Sequence, residues 1–254
     1  MNNNNQSNPE YRKLYEKYLK LGFEEGNLKD PHQDFWEVYL ANALLGKDIP
    51  LCKDPRSGGA PDFFFENDRT KIHIEATAPG PGEGKHAVAP MPIIRDENPG
   101  EFESGFVPAD QIRLRFTNAL QMKTAQIKKW KDETTIAADD AVILAINGFE
   151  ALGGRADIDG MLEPQFIVQV LHEIGDSFMT QNGERFLAKT NMIRKGADTI
   201  RNEWSFFSSV PICGVLYSNV SIGELSSEHR LGQDFKYFQN PSMMNLRKHF
   251  DLWP

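Results

Sequence analysis

The sequence predicts an α/β protein, and three observations carry that expectation. Ala141–Asn147 (AVILAIN) and residues 212–218 (ICGVLYS) are continuous apolar runs with the length of strands buried on both faces. Residues 63–65 and 71–77 are shorter β-type runs joined by Glu66-Asn67-Asp68-Arg69, which has the composition of a hairpin turn. Segments with helical apolar spacing precede and separate these runs, the order expected when helices cover a sheet.

Taken along the chain, residues 1–9 are Asn-rich and are expected to be disordered. Residues 10–21 place Tyr11, Leu14, Tyr15, Tyr18 and Leu19 on one helical face. Asp30 followed by Pro31 is a cap-then-N1 signature, and residues 33–45 continue as a strongly apolar helix that Gly46 can end. A third β-type run at 49–53 is a candidate partner for the hairpin. Residues 78–109 are rich in Pro and Gly and lose all periodicity; an insert of about 30 residues of this kind suits a lid, a binding loop or a disordered segment. It holds most of a local excess of acid (Glu83, Asp96, Glu97, Glu101 and Glu103, then Asp110) over Lys85 and Arg95.

Residues 110–131 form a long helix with the stripe Ile112, Phe116, Ala119, Leu120, Ile127 and Trp130, and Gly148 ends the apolar strand that follows. Residues 165–174 fit helix or strand, 185–204 look helical, and the tail from Gln239 reads as loop with a short helix. With no repeat and no linker composition, residues 10–254 are expected to be a single domain, with a core at about 31–147 and a C-terminal extension at 149–254.

Composition narrows the classes. An apolar share of 40% with 25% charged residues supports a packed core. No run approaches the roughly 18 to 20 apolar residues that cross a bilayer, and the first residues lack a signal core, so a soluble cytoplasmic protein without a membrane partner is expected. Cys52 and Cys213 have no CxxC or CxxxH neighbours, which disfavours structural zinc or a disulfide framework. The run 80–85 lacks Walker spacing, with His86 where Ser or Thr is needed, and there is no GxSxG elbow. The 28 Lys and Arg against 36 Asp and Glu leave a formal charge of −8, which taken whole disfavours nucleic acid.

Chemistry concentrates in the hairpin. Period-2 alternation puts Lys71, His73, Glu75 and Thr77 on one face and Ile72, Ile74 and Ala76 on the other. If the strands are antiparallel neighbours, Asp62 and Glu75 converge, and two carboxylates that close repel unless a cation lies between them. Oxygen ligands without a His or Cys cluster suit Mg²⁺, with Mn²⁺ a possible substitute.

Pro61-Asp62, a gap of twelve residues and Glu75-x-Thr77, set between a helix and a helix–strand pair, resemble the PD-(D/E)xK superfamily of restriction-endonuclease-like nucleases over residues 31–147. The resemblance implies an α-β-β-β-α-β core with a mixed central sheet flanked by helices, extended here by C-terminal helices and a strand. It also implies metal-dependent hydrolysis of DNA phosphodiester bonds, with Asp62 and Glu75 as metal-binding carboxylates and Glu37 as the acidic residue some members carry on the first helix. Thr77 stands where the family has lysine. In some members that lysine lies on the following helix, which nominates Lys123, with Gln126 beside it. A member that has lost activity and binds nucleic acid or a protein partner is the alternative.

Basic residues on two predicted helices could follow phosphates: Arg113, Arg115, Lys128 and Lys129 on the first, Arg194 and Lys195 on the second. A homodimer is left open. Plain structural uses stand beside the functional ones: turn chemistry after Gly58-Gly59-Ala60 for Asp62, an exposed helix position for Glu37, a cross-strand partner for His73 and a solvated amine for Lys123.

Overall fold

A computed structural model describes residues 8–23, 30–53, 59–67, 70–90, 107–154, 165–172 and 211–241, together with the backbone of four strands between 174 and 201. Helices α1 (Pro9–Lys20) and α2 (Pro31–Leu45) precede the hairpin β1 (Phe63–Asn67) and β2 (Thr70–Thr77). Helix α3 (Ala109–Asp132), β3 (Ala141–Asn147) and the short α4 (Phe166–Leu171) follow. Four strands, β4 (Ile174–Met179), β5 (Arg185–Lys189), β6 (Met192–Lys195) and β7 (Asp198–Arg201), lead to β8 (Gly214–Ser218) and β9 (Lys236–Gln239).

The central sheet has the order β1-β2-β3-β8-β9. Its two inner junctions, β2 with β3 and β3 with β8, are parallel, and its two outer ones are antiparallel. This is a mixed sheet in an α/β fold. The inner strands are buried on both faces, which is why β3 and β8 read as unbroken apolar runs.

Alternation divides the core in two. Phe63, Phe65, Ile72, Ile74, Ala76, Ile143 and Ala145 face α1 and α2. Val142, Leu144, Ile146, Val215 and Tyr217 face α3 and α4. Helix α2 is buried around most of its circumference, and the Trp36 indole N–H donates to the Ala145 carbonyl at 3.1 Å, tying the helix to the middle of the sheet. Helix α3 makes the crossover that two parallel neighbours require.

Several expectations are corrected. The described residues between 185 and 201 are strands, not helix: β5, β6 and β7 lie there in two antiparallel pairs, β4 with β5 and β6 with β7. Asn182-Gly183, a strong hairpin dipeptide, falls between the first pair, and Gly196, a residue suited to the first position of a two-residue turn, between the second. The run at 49–53 contributes only an isolated bridge, Cys52 to Phe64, rather than a third full strand. At the amino end, Asn8 and Pro9 are ordered by capping, since the Asn8 side chain accepts the Glu10 N–H and donates to the Ile222 carbonyl. Residues 1–7, 91–106 of the acidic insert and the tail from 242 lie outside the described residues. The near part of the insert is anchored, with Val88 buried in the α3-side core and its N–H bonded to the Pro81 carbonyl.

Candidate functional site

The antiparallel register of β1 and β2 pairs Phe63 with Ile74, so Asp62, one residue before the strand begins, lies opposite Glu75. Pairing with β1 stops there, and on that side the Ala76 N–H and carbonyl meet no strand, although Ala76 stays in register with Ala145 of β3. Side chains meet them: Asp62 Oδ2 accepts the Ala76 N–H at 2.7 Å, and Gln33 Nε2 donates to the Ala76 carbonyl at 3.2 Å. Glu75 points to the α3 face, as alternation requires, and its side chain is only 3% exposed. A carboxylate buried that deeply needs a counter-charge. Lys123 supplies it from α3, donating from Nζ to Glu75 Oε1.

Glu75 Oε2 is buried and makes no hydrogen bond of ordinary geometry among the described residues, while the Asp62 backbone N–H and carboxyl lie close enough to the Glu75 carboxyl to act on it. Burial drives the Glu75 carboxyl upward, the Lys123 charge opposes this, and the Glu37 charge adds to the rise. Asp62 is pushed up to about 8, first by burial and then by the charge of Glu75. Glu37, half-buried on α2, is raised to about 7 by burial and by Asp62, while a hydrogen bond from Gln33 Nε2 at 2.8 Å pulls the other way. Three carboxyl groups thus share one field, and one lysine cannot neutralise all three.

The nominated residues divide clearly. Asp62, Glu75 and Lys123 come together, and Glu37 lies near enough to perturb both carboxylates. Gln126 is half-buried one turn along α3, and no described hydrogen bond joins it to Asp62, Glu75 or Lys123. Thr77 is buried on the Glu75 face beside Ile146. His73, on the same face, is held by Asp140 Oδ2 at 2.8 Å.

The basic residues behave differently from the surface track expected. Arg113 is buried, donating from Nε to Gln169 Oε1 at 2.8 Å and from Nη1 to Asp110 at 3.1 Å. Arg115 is half-buried and donates to the His86 carbonyl at 2.8 Å. Lys128 and Lys129 are exposed. Arg194 and Lys195 sit on β6, whose backbone lies against α3, and their side chains are outside the described residues.

Among the described residues no group of three or more His, Cys, Asp or Glu side chains converges closely enough to hold a metal ion. Asp62, Glu75 and Glu37 thus do not form a closed three-ligand group in this arrangement. A pair is sufficient for Mg²⁺, which keeps several waters and takes one or two carboxylates. The unpartnered Glu75 Oε2 beside a second carboxylate fits that requirement.

Sequence reasoning missed Gln33, the residue with the most connections at this site. Besides Glu37 and Ala76 it reaches the Ala78 N–H, which donates to its Oε1 at 2.8 Å. Compared with family models, curated proteins and solved structures, the chain matches none.

Proposed function

We propose that the protein is a divalent-cation-dependent nuclease that hydrolyses DNA phosphodiester bonds, with a restriction-endonuclease-like core formed by α2, β1, β2, α3 and β3, in which one of the three strands expected between the helices is reduced to the Cys52–Phe64 bridge. The observation that carries this reading is Lys123 reaching Glu75 from the helix after the hairpin, while Glu75 keeps a second buried oxygen without a partner and Asp62 stands opposite. A lysine, a strand glutamate and a pre-strand aspartate supply the charges that phosphoryl transfer requires.

Asp62 and Glu75 would hold Mg²⁺ or Mn²⁺. Bound there, the ion supplies a water of lowered pKa and neutralises charge on the phosphoryl oxygens. Glu75 keeps the Lys123 ammonium at the site, and a fixed positive charge favours the extra negative charge that develops as phosphorus is attacked. Glu37, raised to about 7, carries a proton for part of the time at neutral pH. Its Oε1 accepts from Gln33, so the proton belongs on Oε2.

The test is cleavage of DNA by the purified protein with Mg²⁺ or Mn²⁺, repeated with Asp62→Ala and Glu75→Ala. The reading requires cleavage that both substitutions abolish; cleavage that survives them, or none on single- or double-stranded substrates, defeats it. A second reading, a silent relative that binds nucleic acid or a protein, is favoured by Thr77 at the third motif position and by Arg113 and Arg115 being engaged internally. Calorimetric titration with Mg²⁺ or Mn²⁺ separates the two, because a silent protein shows no uptake sensitive to Asp62→Ala.

A further inference from the structure

The first turn of α2 is fixed by its cap. Asp30 accepts the N–H groups of His32 at 3.0 Å and Gln33 at 3.3 Å, with Pro31 at N1. That start point places Gln33 and Glu37 one turn apart on the same side of the helix, facing the end of β2.

A glutamine amide offers an oxygen that only accepts and a nitrogen with two hydrogens that only donate. The three partners of Gln33 are one donor, the Ala78 N–H, and two acceptors, the Ala76 carbonyl and Glu37 Oε1. Only one orientation of the amide satisfies all three, so the network determines which way it points. Every hydrogen on Nε2 is used.

The connections run through the site. Ala76 follows Glu75 directly, its N–H bonds Asp62 and its carbonyl bonds Gln33, which in turn bonds Glu37. Gln33 thus holds the strand end where β1 pairing has stopped, and the same amide holds Glu37 beside Asp62.

Resting on the nuclease reading above, we propose that Gln33 is the positioning residue of the site. It sets the distance between Glu37 on α2 and the Asp62–Glu75 pair on the hairpin, and so the affinity for the divalent cation and the turnover number. It touches neither substrate nor reacting atoms. Through Ala76, whose N–H bonds Asp62, Gln33 orients a carboxylate proposed to hold the cation, and removing such a group typically costs about 10- to 100-fold in metal affinity or activity.

Two substitutions test this. Gln33→Met keeps the length of the side chain and loses all three hydrogen bonds. Gln33→Glu keeps an acceptor for the Ala78 N–H but has nothing to donate to Ala76 or Glu37, so the strand end stays tied in at least this variant. Each is compared with the wild type by urea midpoint, by calorimetric titration with Mn²⁺ alone, and by kcat and KM on a DNA substrate. Positioning predicts Mn²⁺ affinity down about tenfold in Gln33→Met and kcat down about 10- to 100-fold in both, with KM within about threefold. A merely structural role lowers the urea midpoint and leaves kcat and Mn²⁺ affinity of the folded protein within about twofold of wild type; that result overturns the proposal while the nuclease reading stands. A wild-type protein that neither binds Mn²⁺ nor cleaves DNA overturns both.

Discussion

Replacing Glu37 with Gln should make the cation-free protein more stable above neutral pH and, on the nuclease reading, weaken its hold on a divalent cation by removing a negative charge beside Asp62. Burial, then the charge of Asp62, raises the Glu37 carboxyl to about 7, whereas in the unfolded chain it ionises at its ordinary value of 4.5. The native state therefore keeps a proton that the unfolded state gives up. The stabilisation from this group is fully present below about pH 4.5 and is lost as the pH rises through about 7. Across that interval, at about 1.4 kcal/mol per pH unit, the loss comes to about 3 kcal/mol. A glutamine at 37 cannot ionise and still offers a carbonyl oxygen to Gln33 Nε2.

Urea unfolding in EDTA, followed from about pH 4.5 to about pH 8.5, should show wild-type stability declining more steeply than that of Glu37→Gln. The two should nearly coincide at the acid end and differ by about 2 to 3 kcal/mol at the alkaline end. Millimolar Mg²⁺ should narrow the gap, because a ligand that binds only the folded state stabilises it in proportion to its affinity. Parallel pH profiles, or a variant less stable than wild type at about pH 8.5, would refute the argument that Glu37 is held against its own ionisation.

Lys123→Met removes the counter-charge of Glu75 and should cost about 3 kcal/mol at alkaline pH, the low end for a broken buried pair because the Lys123 side chain is 24% exposed. The deficit in urea should shrink as the pH falls and the raised Glu75 carboxyl takes up a proton, and on the nuclease reading DNA cleavage should fall about 10²- to 10³-fold. Gly82→Ala is the third perturbation. Gly82 has φ +83°, and a Cβ there would lie 2.1 Å from the Arg115 guanidinium carbon, so the loop or the Arg115–His86 bond must give way. A loss of about 1 to 2 kcal/mol is expected. Hydrogen exchange should quicken at the Ala87 and Val88 amides, which bond back to Gly84 and Pro81.

What could be read from the sequence depended on whether local rules determine the outcome. Glu75 is placed by period-2 alternation and Asp62 by the short hairpin, and neither depends on distant contacts. Lys123 follows from helical spacing against Leu120 and Ile127, both buried on α3. Gln33 was missed because its use depends on where β1 begins: had β1 pairing continued past Phe63, the Ala76 N–H and carbonyl would have met β1 instead. Its signal was the Asp30-Pro31 cap, which fixes the register of α2 and sets Gln33 one turn before Glu37. The strands between 185 and 201 were obscured by five basic residues that favour helix, and the turn dipeptides carried the true signal.

The charge on α3 shows why counting along a sequence misleads. The stretch 111–131 holds six basic residues and no acidic one. Arg113 is buried against Gln169, Arg115 holds the loop at His86, Lys123 neutralises Glu75, and Lys131 donates to the carbonyls of Ala138 and Asp140. Lys128 and Lys129 remain exposed, and Lys129 lies 3.8 Å from Glu133. Long cationic side chains can reach inward from a helix as readily as outward. A phosphate track on this face would thus rest on two lysines, and each phosphate neutralised contributes only about 0.9 to the salt slope of duplex binding. With a net charge of −8 opposing approach, the described face of α3 by itself supplies little for tight non-specific DNA binding.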